Sequence, residues 1–166
     1  MIFISHRGNL TGPNPELENK PDSIEYAIAN GFDVEIDVWY REGDFWLGHD
    51  VPVDKVGDWW LLKHAKNLWI HCKDAEAVWA MRHLNTGGFV KFNGKFNYFW
   101  HQTDDMVITS KEYIWVYPDK QPVRSSIAVL PEQVAEDDNL FDVETIKMCN
   151  GVCSDYIYEI RKQLGK

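Results

Sequence analysis

Short apolar runs recur along the chain, most of them closed by polar residues, glycine or proline. They cover residues 2–5, 32–39, 68–72, 98–102, 106–109, 113–117, 126–130 and 151–154. Each is the length of a strand rather than a helix. Between the early runs the spacing changes to a helical one, over 22–30, 53–64 and 74–84, and two later helices are predicted over 141–150 and 156–164. Asp22 and Asp74 suit N-caps, and Gly31 suits a helix stop. Strand–helix alternation predicts a parallel sheet with crossover helices.

Eight strands predict a TIM-type (β/α)8 barrel, which normally takes about 250 residues. This chain has 166. The shortfall lies between 98 and 130, where strands follow one another too closely for helices. The expected fold is therefore a compressed α/β barrel with several crossover helices reduced or missing. No linker or low-complexity tract divides the sequence, so residues 1–166 read as one domain.

A formal net charge of −9 excludes a broad basic face, so no nucleic-acid partner is expected. Of the eight tryptophans, Trp39, Trp69, Trp79, Trp100 and Trp115 are read as core and barrel filler. Three cysteines are an odd number, and Cys72 lies within an apolar run, which fits reduced thiols in a cytoplasmic protein. No apolar run approaches the ~18 residues of a membrane span, and the first residues lack a basic, signal-like start. Stable membrane insertion is not expected, and oligomeric state is not legible.

Chemistry concentrates in the first fifty residues. The first run ends in His6-Arg7-Gly8, which would set an acid/base group and a forked cation at the catalytic end of a barrel. Alone, such a pair is an ordinary surface feature. In the second run, period-two geometry places Glu35 and Asp37 on one face and Val34, Ile36 and Val38 on the other. Two carboxylates on the inner face of a buried strand repel each other, and a cation relieves that cost. Oxygen ligands suit Mg²⁺ or Ca²⁺. A short hairpin arm then ends in His49-Asp50, a second acid/base candidate with a carboxylate to orient it.

Taken in order, His6-Arg7-Gly8, Glu18-Asn19, the 31–37 segment with Glu35 and Asp37, and Leu47-Gly48-His49-Asp50 resemble the glycerophosphodiester phosphodiesterase family, within the superfamily that includes phosphatidylinositol-specific phospholipase C. Residues 151–156 resemble its last strand. The resemblance implies a metal-dependent hydrolase acting on a small phosphodiester. It implies His6 and His49 as general acid and base, Glu35 and Asp37 as ligands of one divalent cation, and Arg7 on the phosphate.

Two departures stand out. Leu17 replaces the proline that precedes the family's Glu-Asn pair, and the third strand carries His71 where a metal-binding glutamate is usual, with Lys73 kept for the phosphate. An imidazole ligand shifts preference towards Mn²⁺ or Zn²⁺; His71 could instead be a phosphate donor. His101, Asp104 and Asp105 have no family counterpart, and pocket lining or a structural loop both fit them. Asp155 ends the last predicted strand with the same ambiguity. Tyr113 and Tyr117 read as core or as contacts to a substrate alcohol, and the acidic 132–138 stretch reads as solvated. The alternative function is a non-catalytic module that binds a phosphate ligand.

Overall fold

In the computed structural model, residues 1–86, 95–135 and 140–166 are described. The strands are β1 (Ile2–His6), β2 (Asp33–Arg41), β3 (Asp44–Leu47), β4 (Asp54–Val56), β5 (Leu68–Cys72), β6 (Asn97–Phe99), β7 (Met106–Ile108), β8 (Ile114–Val116), β9 (Ile127–Val129) and β10 (Gly151–Ser154). The helices are α1 (Pro21–Ala29), α2 (Asp58–His64), α3 (Ala75–Thr86), α4 (Val143–Lys147) and α5 (Ile157–Gln163).

Seven strands run parallel in the order β6-β5-β2-β1-β10-β9-β8, and β7 pairs antiparallel with β8. This is a reduced TIM-like barrel. Between β6 and β9 there is no helix, which accounts for the short chain. β6 and β7 do not pair as strands. Ser110, just beyond β7, bridges them: its N–H donates to the Tyr98 carbonyl at 2.8 Å, and its hydroxyl accepts from Tyr98 N at 2.9 Å.

β2 does double duty. Its first part pairs with β5 from Val34 to Val38, and its end pairs antiparallel with β3 from Val38 to Arg41. The strand thus rises past the barrel mouth, turns, and brings the chain back beside itself. That hairpin arm contributes β3 and β4, and β4 takes up the first residues of the helix expected over 53–64.

The outward faces of β2 and β5 (Val34, Ile36, Val38, Leu68, Ile70) pack against Ile24 of α1, Leu61 of α2 and Met81 of α3, all fully or nearly fully buried. Inside the barrel lie Ile4, Trp69, Phe99, Trp115, Ile127, Val129 and Cys153. Apolar burial on both faces is what a parallel strand requires. Trp69 and Trp115 are barrel filler as expected. Trp79 and Trp100 are not: 59% and 44% of their surfaces are exposed, because one lies on the outer face of α3 and the other follows β6 on the rim.

Helix starts show one agreement and one correction. Asp74 accepts the Ala77 N–H at 2.6 Å, as a cap should. Asp22 does not cap α1; Lys20 holds that position with Pro21 as the first helical residue, and Asp22 lies in the first turn. Gly31 follows the end of α1 at φ +81°. Cys72, Cys149 and Cys153 are free and buried.

Candidate active site

His6 is the last residue of β1. Its Nδ1–H donates to Asp155 Oδ1 at 2.7 Å. The register of β1 on β10, Ser5 opposite Ser154, makes these two residues neighbours at the barrel rim. Burial disfavours the imidazolium, but the Asp155 hydrogen bond and the Glu35 charge outweigh it, so the His6 pKa is raised. Asn9 Nδ2 also reaches Asp155 Oδ1, at 2.7 Å, and Glu18 Oε1, at 3.0 Å; Glu18 Oε2 accepts from Arg7 at 3.1 Å. Arg7 has φ +54° and Gly8 φ +91°. A Cβ on Gly8 would lie 3.2 Å from the Ser23 Cβ on α1, so the tight exit from β1 depends on glycine there.

The inner face of β2 carries Glu35 and Asp37, both buried, as the alternation predicts. Four nitrogen groups surround the Asp37 carboxylate. His71 Nδ1 donates to Oδ1 at 3.0 Å, with Lys73 Nζ at 3.2 Å from the same atom. Asn19 Nδ2 donates to Oδ2 at 3.0 Å. Arg7 Nε lies 3.1 Å from Oδ2, with its N–H not aimed along that line, an ion pair without a hydrogen bond. Burial alone would raise the Asp37 pKa; His71, Arg7 and Lys73 together hold it well below the ordinary range. Asn19 also accepts the Asp37 backbone N–H at 2.9 Å and locks the pair in register.

Glu35 is the opposite case. Burial, then the neighbouring Asp37 charge, raise its pKa. Its Oε2 is buried without a hydrogen-bond partner, 4.0 Å from His6 Nε2. Single ligand atoms of Glu35, Asp37 and His71 all lie within 4.8 Å of one another. An orphaned buried carboxylate oxygen in such a group fits a cation. These three residues are a candidate metal site.

His49 arrives by the hairpin. Gly48 N donates to the Asp37 carbonyl at 3.2 Å, and the Trp39 indole donates to the Gly48 carbonyl at 2.6 Å, which returns the arm to the level of Asp37. Gly48 has φ +145°, and a Cβ there would lie 2.2 Å from the Val51 carbonyl oxygen. His49 Nδ1 lies 2.8 Å from Asp50 Oδ1; its side chain is 42% exposed. Burial, with Arg7 and Lys73 nearby, lowers its pKa.

Of the seven residues that the sequence singles out for catalysis, phosphate and metal, all but Asp37 line one cleft of about 670 Å³: His6, Arg7, Glu35, His49, His71 and Lys73. Asp37 lies beneath them. His101 joins the same cleft. Its ring stacks on His71, with centroids 4.3 Å apart and planes 17° apart, and its Nδ1 shares a hydrogen bond with the Tyr117 hydroxyl. Burial, then His71 and Lys73, push its pKa down to about 4. Asp104 and Asp105 are exposed and do not line the cleft.

Sequence reading left Asp155 open and missed Asn9, the double role of Asn19, and Glu132. Glu132 was expected in a solvated stretch; instead it accepts the Ser154 hydroxyl at 2.8 Å and the Asp155 N–H at 2.9 Å, and burial raises its pKa. Residues 136–138 of that stretch fall outside the described ones. The signal for Asp155 was present in the register of the two terminal strands, had barrel closure been used to pair them.

The path of the backbone decides the fold comparison. It superposes on the crystal structure of a glycerophosphodiester phosphodiesterase from Thermotoga maritima. The TM-score is 0.50 at 15% sequence identity, and the match covers 98% of each chain. The chain has the fold of that enzyme over nearly its full length. No protein-family model and no curated protein sequence matches it. Among the described residues, no helix is long and apolar enough to cross a membrane.

Proposed function

We propose that this chain is a metal-dependent phosphodiester hydrolase of the glycerophosphodiester phosphodiesterase type. The observation that carries the proposal is one cleft that brings His6 and His49 together with two cations and an orphaned buried carboxylate oxygen.

Arg7 and Lys73 are the phosphate-binding groups, since both are cations that reach the cleft. Glu35, Asp37 and His71 would hold a divalent cation, Mg²⁺ or Ca²⁺ by their oxygens and Mn²⁺ or Zn²⁺ by the imidazole; it would supply further positive charge to the phosphoryl oxygens. His6 and His49 move the protons. One accepts the proton of the attacking hydroxyl as the new O–P bond forms; the other donates to the leaving oxygen as the old one breaks. If the attacker is the substrate's own neighbouring hydroxyl, the first product is a cyclic phosphate. Asp155 fixes the His6 ring so that Nε2, not Nδ1, is left for chemistry.

One observation favours the second reading, a phosphate-binding module without turnover. Asp37 is already matched by the protein's own nitrogen groups and does not require a metal. A turnover screen of small phosphodiesters with Mg²⁺, Ca²⁺, Mn²⁺ and EDTA separates the two. Metal-stimulated turnover is expected, with His6→Ala and His49→Ala each about 10²–10⁴-fold slower. Binding of phosphodiesters with no turnover under any metal would establish the module instead.

A further inference from the structure

The proposed chemistry uses only half of the barrel rim. The ends of β1, β2 and β5, with the β2–β3 hairpin, carry His6, His49, His71, the two cations and the two carboxylates. The segments after β6, β8 and β9 line the same cleft with Trp100, His101, Gln102, Tyr117 and Gln133. β6 lies beside β5 at one end of the parallel strand order, and β9 and β8 lie beyond β10 towards the other.

The chemistry of this half-rim is distinctive. Trp100 holds an indole at the cleft with 44% of its surface in water. Burying the rest of that ring against a flat partner would be favourable. His101 continues the aromatic surface inward: it stacks on His71, and its ring is held at its Nδ1 by Tyr117. Gln102, in the loop after β6, and Gln133, at the end of the short 3-10 turn Pro131–Gln133, each bring an amide that can both donate and accept. At about 670 Å³ the cleft has room beyond a phosphate group and falls within the range of small-molecule sites. An open-chain polyol has no flat face to set against an indole.

We propose that the half-rim formed by Trp100, His101, Gln102, Tyr117 and Gln133 is a subsite for a ring-bearing alcohol, a sugar or a nucleoside, esterified to the bound phosphate. The ring stacks on Trp100, and the two amides meet its hydroxyls or its base edge. The inference rests on the phosphodiesterase reading, because it takes the phosphate position from Arg7 and Lys73.

The test is equilibrium binding without turnover. Inorganic phosphate, glycerol 3-phosphate, glucose 6-phosphate and adenosine 5′-monophosphate are titrated by calorimetry into the wild type, Trp100→Ala and Trp100→Phe. The better of the two ring phosphates should bind about tenfold tighter than glycerol 3-phosphate, the scale of one stacking contact. That preference should fall to within about twofold in Trp100→Ala and largely persist in Trp100→Phe, which keeps a flat ring. Whichever ring phosphate is tighter names the class. Equal binding of all three organic phosphates, or a preference that survives Trp100→Ala, overturns the subsite while leaving the phosphodiesterase reading standing. Failure of every compound, inorganic phosphate included, removes that reading and the subsite with it.

Discussion

Asp37 is the residue on which the site's electrostatics turn. Its side chain is 1% exposed, and Arg7, Lys73 and His71 all face it. Removing its charge takes away the carboxylate that faces Lys73 and leaves Arg7 with Glu18, in a poorly hydrated place, which is costlier than losing an exposed ion pair. Asp37→Asn should therefore lose about 3 kcal/mol, the lower end for a broken buried pair because Arg7 and Lys73 still reach water. Urea unfolding in EDTA measures this; a loss under about 1 kcal/mol would mean that the cations simply re-solvate. His71 offers a separate test. If it ligates, His71→Glu should move metal preference towards Mg²⁺ or Ca²⁺, since hard cations favour carboxylate over imidazole. If it serves the phosphate, the new anion should suppress turnover with every metal while metal affinity holds or rises. The sign of the Mg²⁺-supported rate decides between them.

At the scale of elements, the hairpin is the device that completes the site. A parallel barrel strand ends at the rim, yet β2 runs on to Arg41 and returns through β3, so that His49 comes back to the level of Asp37. The turn depends on Gly48. Gly48→Ala should cost about 1–3 kcal/mol, because its backbone conformation and the Val51 carbonyl both exclude a Cβ. It should also slow turnover about 10²-fold by displacing His49. His49→Ala provides the contrast, with comparable loss of rate and nearly wild-type stability by thermal unfolding. Wild-type rate in Gly48→Ala would show that the hairpin does not set the position of His49. All the predicted strand segments could be read from local patterning, because each is a dense apolar run. β4 was read as helix because its three residues carry no signal of their own; pairing with β3 makes them a strand.

For the whole molecule, the buried carboxylates predict an acid limb in the pH dependence of stability. The folded-state pKa values of Asp37 and Asp155 lie below those of an unfolded chain. Their stabilisation is present above about pH 4 and is lost as pH falls through their folded values. His6 has a raised pKa, so its contribution is present below about pH 6.5 and is lost as pH rises through the folded value. Unfolding free energy in EDTA, measured from pH 3 to 9, should fall on the acid side as Asp37 and Asp155 take up protons, while above that the raised His6 and the lowered His49 and His101 act in opposite senses. Asp37→Asn should flatten the acid limb, and a wild-type profile with no acid limb would contradict this account.

The sequence by itself determined the barrel class, its shortening between 98 and 130, and the facing of Glu35 and Asp37. It could do so because apolar runs and period-two alternation are local properties of the backbone. It also brought forward His6, His49, Arg7 and Lys73 through their order along the chain. Tertiary structure alone decided their partners. Asp155 reaches His6 across 149 positions only because the first and last strands lie side by side. Glu132, acidic and within a charged stretch, was turned inward because the segment after β9 passes beside Ser154 and Asp155. Trp100 was left at the rim and Trp69 placed inside the barrel, two tryptophans in similar apolar surroundings along the chain. Composition and spacing say how much surface a side chain must bury; which neighbours it buries against is fixed only when distant strands meet.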